Sequence, residues 1–211
     1  MAQLPVIGYG LAALAFLILT LLLLTSWQGR LHGALLASAT GMSALWGLGL
    51  AFSVWPNPEV ALLQIFAVET LRNGAWLLFL GAVFADGLGG STGHRVLMYG
   101  GPLLALAMFV GGTAVFVADP AGPLSPASGQ VLILGSLALS LSGLILIEQI
   151  YRNARSAQRA ALKYLCVGLA GLFAYDLVLY SQAVLFAGID PVFWSVRGIV
   201  AALCVPLIAI A

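Results

Sequence analysis

Seven apolar stretches, each about as long as a bilayer is thick, make up nearly all of this chain. A helix rises about 1.5 Å per residue, so crossing a hydrocarbon core of about 30 Å takes about 20 residues. On that ruler the stretches run over roughly 5–27, 31–54, 59–85, 95–117, 129–151, 161–187 and 191–211. The chain is 62% hydrophobic and 7% charged, whereas soluble domains carry about 25% charged residues. No water-soluble core hides that much apolar surface. The sequence therefore predicts an all-α, polytopic membrane protein of seven transmembrane helices embedded in a lipid bilayer.

The breaks between stretches have physical causes. Gln28-Gly29-Arg30 separates the first two, and Pro56-Asn57-Pro58 opens the third. Asp86-Gly87 and Gly89-Gly90 close the third, Asp119-Pro120 and Gly122-Pro123 end the fourth, and Asp190-Pro191 starts the seventh. Proline and glycine punctuate helices because one lacks an N–H and the other costs backbone entropy. The first stretch has no basic residue ahead of it and no clear small-residue cleavage site, so it reads as a retained span rather than a signal peptide.

Lysine and arginine set the expected orientation. Arg30, Arg95, Arg152, Arg155, Arg159 and Lys163 fall in the first, third and fifth connections, and the second, fourth and sixth hold none. Basic residues stay on the cytosolic side, which places the N-terminus outside and the C-terminus in the cytosol. An even number of spans would break this alternation. The chain stops at Ala211 without a basic flank, and the expectation is that the natural protein continues into the cytosol beyond it.

Glu69, Arg72, Asp176 and Arg197 lie inside apolar stretches, and their formal charges cancel. A central charge costs roughly 2.5–3.5 kcal/mol of insertion energy, and each Leu, Ile, Phe or Val returns roughly 0.3–0.6 kcal/mol. In the third stretch the two charges and the apolar residues nearly cancel, at about 6 kcal/mol each, so that helix depends on its neighbours. Glu69 and Arg72 lie about 13 Å and about 18 Å below the outer end of their helix. Asp176 lies about 16 Å below the outer end of the sixth, and Arg197 about 9 Å below that of the seventh. Depth therefore pairs Arg72 with Asp176 and Glu69 with Arg197, with an i,i+3 pair between Glu69 and Arg72 as the alternative. If Arg72 and Asp176 pair, exchanging their charges should preserve folding. Tyr180 shares the face of Asp176 at i,i+4 and joins the expected network. Such a network either locks helices 3, 6 and 7 together or switches between two arrangements.

Arg152, Arg155, Arg159 and Lys163 are spaced 3, 4 and 4 residues apart. On one helix they form a basic stripe, an anchor for lipid headgroups or a contact face for a cytosolic domain. Cys166 and Cys204 read as packing residues at different depths. Gly168 and Gly171, Gly47 and Gly49, and Gly111-Gly112 read as close-approach points between helices.

Several classes are excluded. A retinal pump needs a lysine in its last helix, and the only lysine is Lys163. Membrane proteases need histidine or paired acids at depth, whereas His32 and His94 sit at predicted cytosolic edges. No catalytic group, metal ligand set, cofactor or nucleic-acid partner is expected. A small ion- or proton-coupled transporter or a membrane scaffold subunit fits the buried charges, although no inverted repeat is visible.

IEQIYRNA (147–154), KYL (163–165), GLFAYDLVLYSQAVLF (171–186), the turn from Asp190 to Trp194 and VRG (196–198) resemble the membrane region of the PrsK-type sensor histidine kinases. That family belongs to the exosortase/PEP-CTERM protein-sorting systems of Gram-negative bacteria. The resemblance is dense over 147–211 and weaker over 1–146, where ETLRNGAW (69–76) carries it. It implies an inner-membrane input module, not itself an enzyme, joined to a cytosolic kinase region that these residues do not include. The kinase would work as a homodimer and pass phosphate from histidine to a response regulator controlling exopolysaccharide and PEP-CTERM genes.

The predicted orientation is open to a direct check. Alkaline phosphatase fused within 54–58 should be active in a bacterial host, and the same fusion within 154–160 should be inactive. The reverse pattern would invert the topology.

Overall fold

The structure, a computed structural model, describes residues 3–26, 29–52, 58–85, 92–118, 126–154, 156–186 and 188–210. Side chains are described for all of these except 58–64, 92–98, 115–118, 126–128, 156–158 and 161. Among the described residues there are seven helices and no strand. They are α1 (Gln3–Thr25), α2 (Leu31–Ala51), α3 (Pro58–Ala85), α4 (Thr92–Ala118), α5 (Pro126–Asn153), α6 (Ser156–Leu185) and α7 (Pro191–Ile210).

Five of them, α1, α2, α5, α6 and α7, are long and apolar enough to cross a membrane. In α4 the residues whose side chains are described include the apolar stretch Tyr99–Ala114. In α3 the run is interrupted by Glu69, Thr70, Arg72 and Asn73, all buried. The outward surface is apolar: Leu11, Leu14, Ile18, Leu22, Leu103 and Leu203 are all exposed. Such a surface is unfavourable in water and suits lipid.

Local chemistry fixes the helix ends. Gly29 adopts φ +77° between α1 and α2, a conformation open to glycine. Asp190 caps α7: its Oδ1 accepts from the backbone N–H of Val192 at 2.7 Å, and Pro191 occupies the first helical position. The break at Ala154 divides the expected basic stripe. Arg152 lies in the last turn of α5, while Arg159 and Lys163 belong to α6, and Arg155 lies outside the described residues. The stripe on one continuous helix is therefore corrected. Arg159 folds back instead, its Nε donating to the Ala154 carbonyl at 3.0 Å and its Nη2 to that of Arg152 at 3.3 Å. A cation here meets the unpaired carbonyls and the negative dipole end of α5. Glu148 pairs with Arg152 at 3.2 Å on the exposed surface.

Six helices form a ring: α1 packs on α2 and α7, α2 on α3, α3 on α5, α5 on α6, and α6 on α7. The remaining helix, α4, lies outside the ring against α3 and α5. Trp46, Trp76, Phe16, Leu77, Leu169 and Leu179 fill the interior.

Glycines set how closely the ring is drawn. A Cβ on Gly198 of α7 would stand 2.5 Å from the backbone N of Tyr9 and 2.6 Å from the carbonyl carbon of Gly8, so α1 and α7 touch backbone to backbone. A Cβ on Gly47 would lie 2.9 Å from the backbone N of Ala13, which draws α2 onto α1 in the same way. Gly168 and Gly171 admit Cys204 of α7: a Cβ on Gly171 would meet its Sγ at 2.9 Å, and one on Gly168 its carbonyl oxygen at 3.1 Å. Gly49 and Gly111 face open space, and Gly112 faces the ring of Phe66. Cys166 and Cys204 are both buried free thiols.

Gly198→Ala should destabilise the protein by about 1–3 kcal/mol, because backbone cannot yield as a side chain can. Gly10→Ala, with no atom near its new methyl, should stabilise α1 by about 0.5–1 kcal/mol. Thermal unfolding in detergent measures both. Equal effects would contradict the close α1–α7 contact.

Candidate functional site

Glu69, Arg72, Asp176 and Arg197 converge inside the ring, each between 1% and 5% exposed. Helix periodicity brings them there. On α3, Glu69, Arg72, Asn73 and Trp76 fall on one face through i,i+3 and i,i+4 spacing, and all four are buried. Asp176 and Tyr180 do the same on α6, and Arg197 sits two turns into α7.

Both pairs expected from depth are present. Arg197 Nη2 lies 2.5 Å from Glu69 Oε1, and Arg72 Nη2 lies 3.6 Å from Asp176 Oδ2. A third contact was not expected: Arg197 Nε donates to Asp176 Oδ1 at 2.7 Å. Arg197 thus holds both carboxylates, and Asp176 stands between two guanidiniums. Tyr180 completes the network by donating its hydroxyl to Glu69 Oε1. Among the described residues, Glu69 and Arg72 do not pair with each other; each reaches across the ring instead.

These side chains join helices whose backbones stand apart. Among the described residues, α3 packs along α2, α4 and α5, whereas its links to α6 and α7 run through Glu69 and Arg72. Removing a charge therefore removes a crossbar and also leaves its partner stranded in a low-dielectric interior.

Aromatic groups form the rest of the site. The Arg72 guanidinium lies over the Trp46 ring at 4.1 Å, and that of Arg197 lies 5.1 Å from the same ring. Desolvated contacts of this kind contribute about 2 kcal/mol each. Tyr9 meets Trp46 edge-on at 5.3 Å and donates its hydroxyl to the Trp194 carbonyl at 2.6 Å. Tyr175 donates to the Phe193 carbonyl at 2.7 Å. Trp76 Nε1 donates to Ser43 Oγ at 2.9 Å, tying α3 to α2.

Bonding within the site is uneven. Arg72 Nε and Nη1, Arg197 Nη1, Trp46 Nε1, both amide atoms of Asn73 and Asp176 Oδ2 are buried without a hydrogen-bond partner among the described residues. A buried group left unbonded costs about 1–3 kcal/mol. Arg197 is therefore the well-held cation, while Arg72 has a longer ion pair and two unbonded nitrogens.

Trp46, Tyr9, Tyr175 and Asn73 were missed in the sequence. Asn73 carried a signal, as a polar residue beside Arg72 in a span. Trp46 carried a weaker one, as a tryptophan placed mid-helix, away from both expected interfaces. The ring of Trp194 lies 5.4 Å from the Arg197 guanidinium.

The chain matches no family model, no curated protein and no solved structure.

Arg197→Met should cost about 3–5 kcal/mol, because it strands two carboxylates, and Arg72→Met should cost less. Exchanging Arg72 and Asp176 should fail to restore stability, because the exchanged residue at 176 would place a cation against Arg197. This reverses the expectation drawn from a simple pair. Unfolding in detergent distinguishes the two: full recovery in the exchanged variant would make Asp176 the partner of Arg72 alone.

Proposed function

We propose that this chain is the membrane-embedded input module of a sensor histidine kinase resembling the PrsK type, set in a bacterial inner membrane. In this reading all seven helices span the bilayer, with the N-terminus outside and the C-terminus in the cytosol. The six-to-none split of basic residues between alternate connections supports it, together with the resemblance over 147–211. The observation that carries the switching role is the position of Asp176 between Arg197, at 2.7 Å, and Arg72, at 3.6 Å. A carboxylate held closely by one cation, with a second cation in reach, has an alternative partner to turn to, and this supplies the network with a second arrangement. A stimulus that favours one of them shifts α3, α6 and α7 relative to one another. The seventh helix then carries the shift to a cytosolic kinase region, which acts as a homodimer and phosphorylates a response regulator.

In the protein joined to its kinase region, Asp176→Asn should lock autophosphorylation on or off, whatever the stimulus. Phosphate incorporation in reconstituted vesicles measures it. Normal expression with unaltered, still-regulated phosphorylation would defeat the switch. Proton or ion flux through the same vesicles, without kinase output, would favour the transporter reading of the buried charges.

A further inference from the structure

Beside the charge network lies a gap in the seam between α6 and α7. Leu172, Tyr175 and Asp176 line it from α6, and Arg197, Val200 and Ala201 from α7, with Trp46 and Arg72 as its floor. As the walls stand, no part of it is wide enough to seat a water molecule. Four of its lining residues carry the unbonded atoms: Arg72 Nε and Nη1, Arg197 Nη1, Trp46 Nε1 and Asp176 Oδ2. The first four are donors and the last is an acceptor.

These features select an occupant. The two guanidiniums and two carboxylates sum to zero, so an added ion would leave an uncompensated charge inside an apolar ring. The occupant must be neutral. It must accept from several N–H groups and also donate to a carboxylate oxygen. It must also be small. Water meets all three conditions, and buried waters characteristically bridge groups that lack protein partners.

The fold offers a way to admit it. The second half of α7 is clamped to α6 where Gly168 and Gly171 receive Cys204. The first half borders the gap and is held to α6 by the Arg197–Asp176 bond and by the Tyr175 hydroxyl on the Phe193 carbonyl. Parting of the seam at the first half, with the glycine contacts as pivot, would carry α1 along, because its backbone meets Gly198.

We propose that this seam is a hydration site: parting of α6 and α7 admits a small cluster of waters that bond Arg72, Arg197, Trp46 and Asp176. This rests on the switch described above and supplies its second arrangement, in which water replaces part of the direct contact between Asp176 and the two arginines.

Pulsed X-ray hydroxyl labelling of the full chain in lipid nanodiscs, read by mass spectrometry, tests the site with water itself as the probe. Radicals form from water at the site, so a buried ring labels only if water reaches it. Trp46 and Trp76 are equally buried, at 1% each, but only Trp46 lines the gap. The expected result is clear labelling of Trp46 with little at Trp76, and loss of the Trp46 signal in Ala201→Leu, whose apolar side chain takes the space that opens when the seam parts. Equal labelling of the two tryptophans in the native protein overturns the proposal. So does undiminished Trp46 labelling in a monodisperse Ala201→Leu protein. Should that variant fail to fold, the native comparison of the two rings still decides. The labelling is independent of kinase output, so its failure is distinguishable from failure of the signalling role.

Discussion

The Arg197 guanidinium, bonded at once to Glu69 on α3 and Asp176 on α6, is the interaction on which the interior of this bundle depends. Lipid and protein interior are equally apolar, so burying leucines gives helices in a membrane little reason to prefer one another over lipid. Charge does give them a reason. A guanidinium or carboxylate turned outward meets hydrocarbon, and turned inward it meets its partner. Four such groups on three helices leave few ways to arrange the ring, and the aromatic floor of Trp46 narrows them further.

The same cluster explains the marginal character of α3. Its Glu69 and Arg72 interrupt an otherwise apolar helix, and the cost of burying them is offset by contacts with α6 and α7 rather than within α3 itself. A helix of that kind is held by its partners, and its position reports on them. Arg72 is the looser member: a 3.6 Å ion pair and two unbonded nitrogens leave it less constrained than Arg197.

The sequence made the helices legible because their ends are set by local chemistry. Asp190-Pro191 starts α7 and Gly29 breaks α1 from α2, both where turn and cap rules place them. The four buried charges were legible because each is costly where it stands. The side of each helix that faces inward was not legible, because lipid and core select the same side chains and the apolar periodicity of a soluble helix disappears. Trp46 could not be placed at the centre for that reason. The sharing of Asp176 between two cations was missed because depth along a helix gives one coordinate, and a three-way contact needs all three. The division of the basic stripe falls within the expected fifth connection, but its exact place was not legible because nothing around Ala154 is a proline or glycine.

The glycine contact between Gly198 and the backbone of Gly8 and Tyr9 has a mechanical consequence. With no side chain between them, the first and last helices behave as a single stiff strut, further pinned by the Tyr9 hydroxyl on the Trp194 carbonyl. Any roll or slide of the last helix drags the first one with it. Whatever displaces α7 therefore has to displace two rods rather than one.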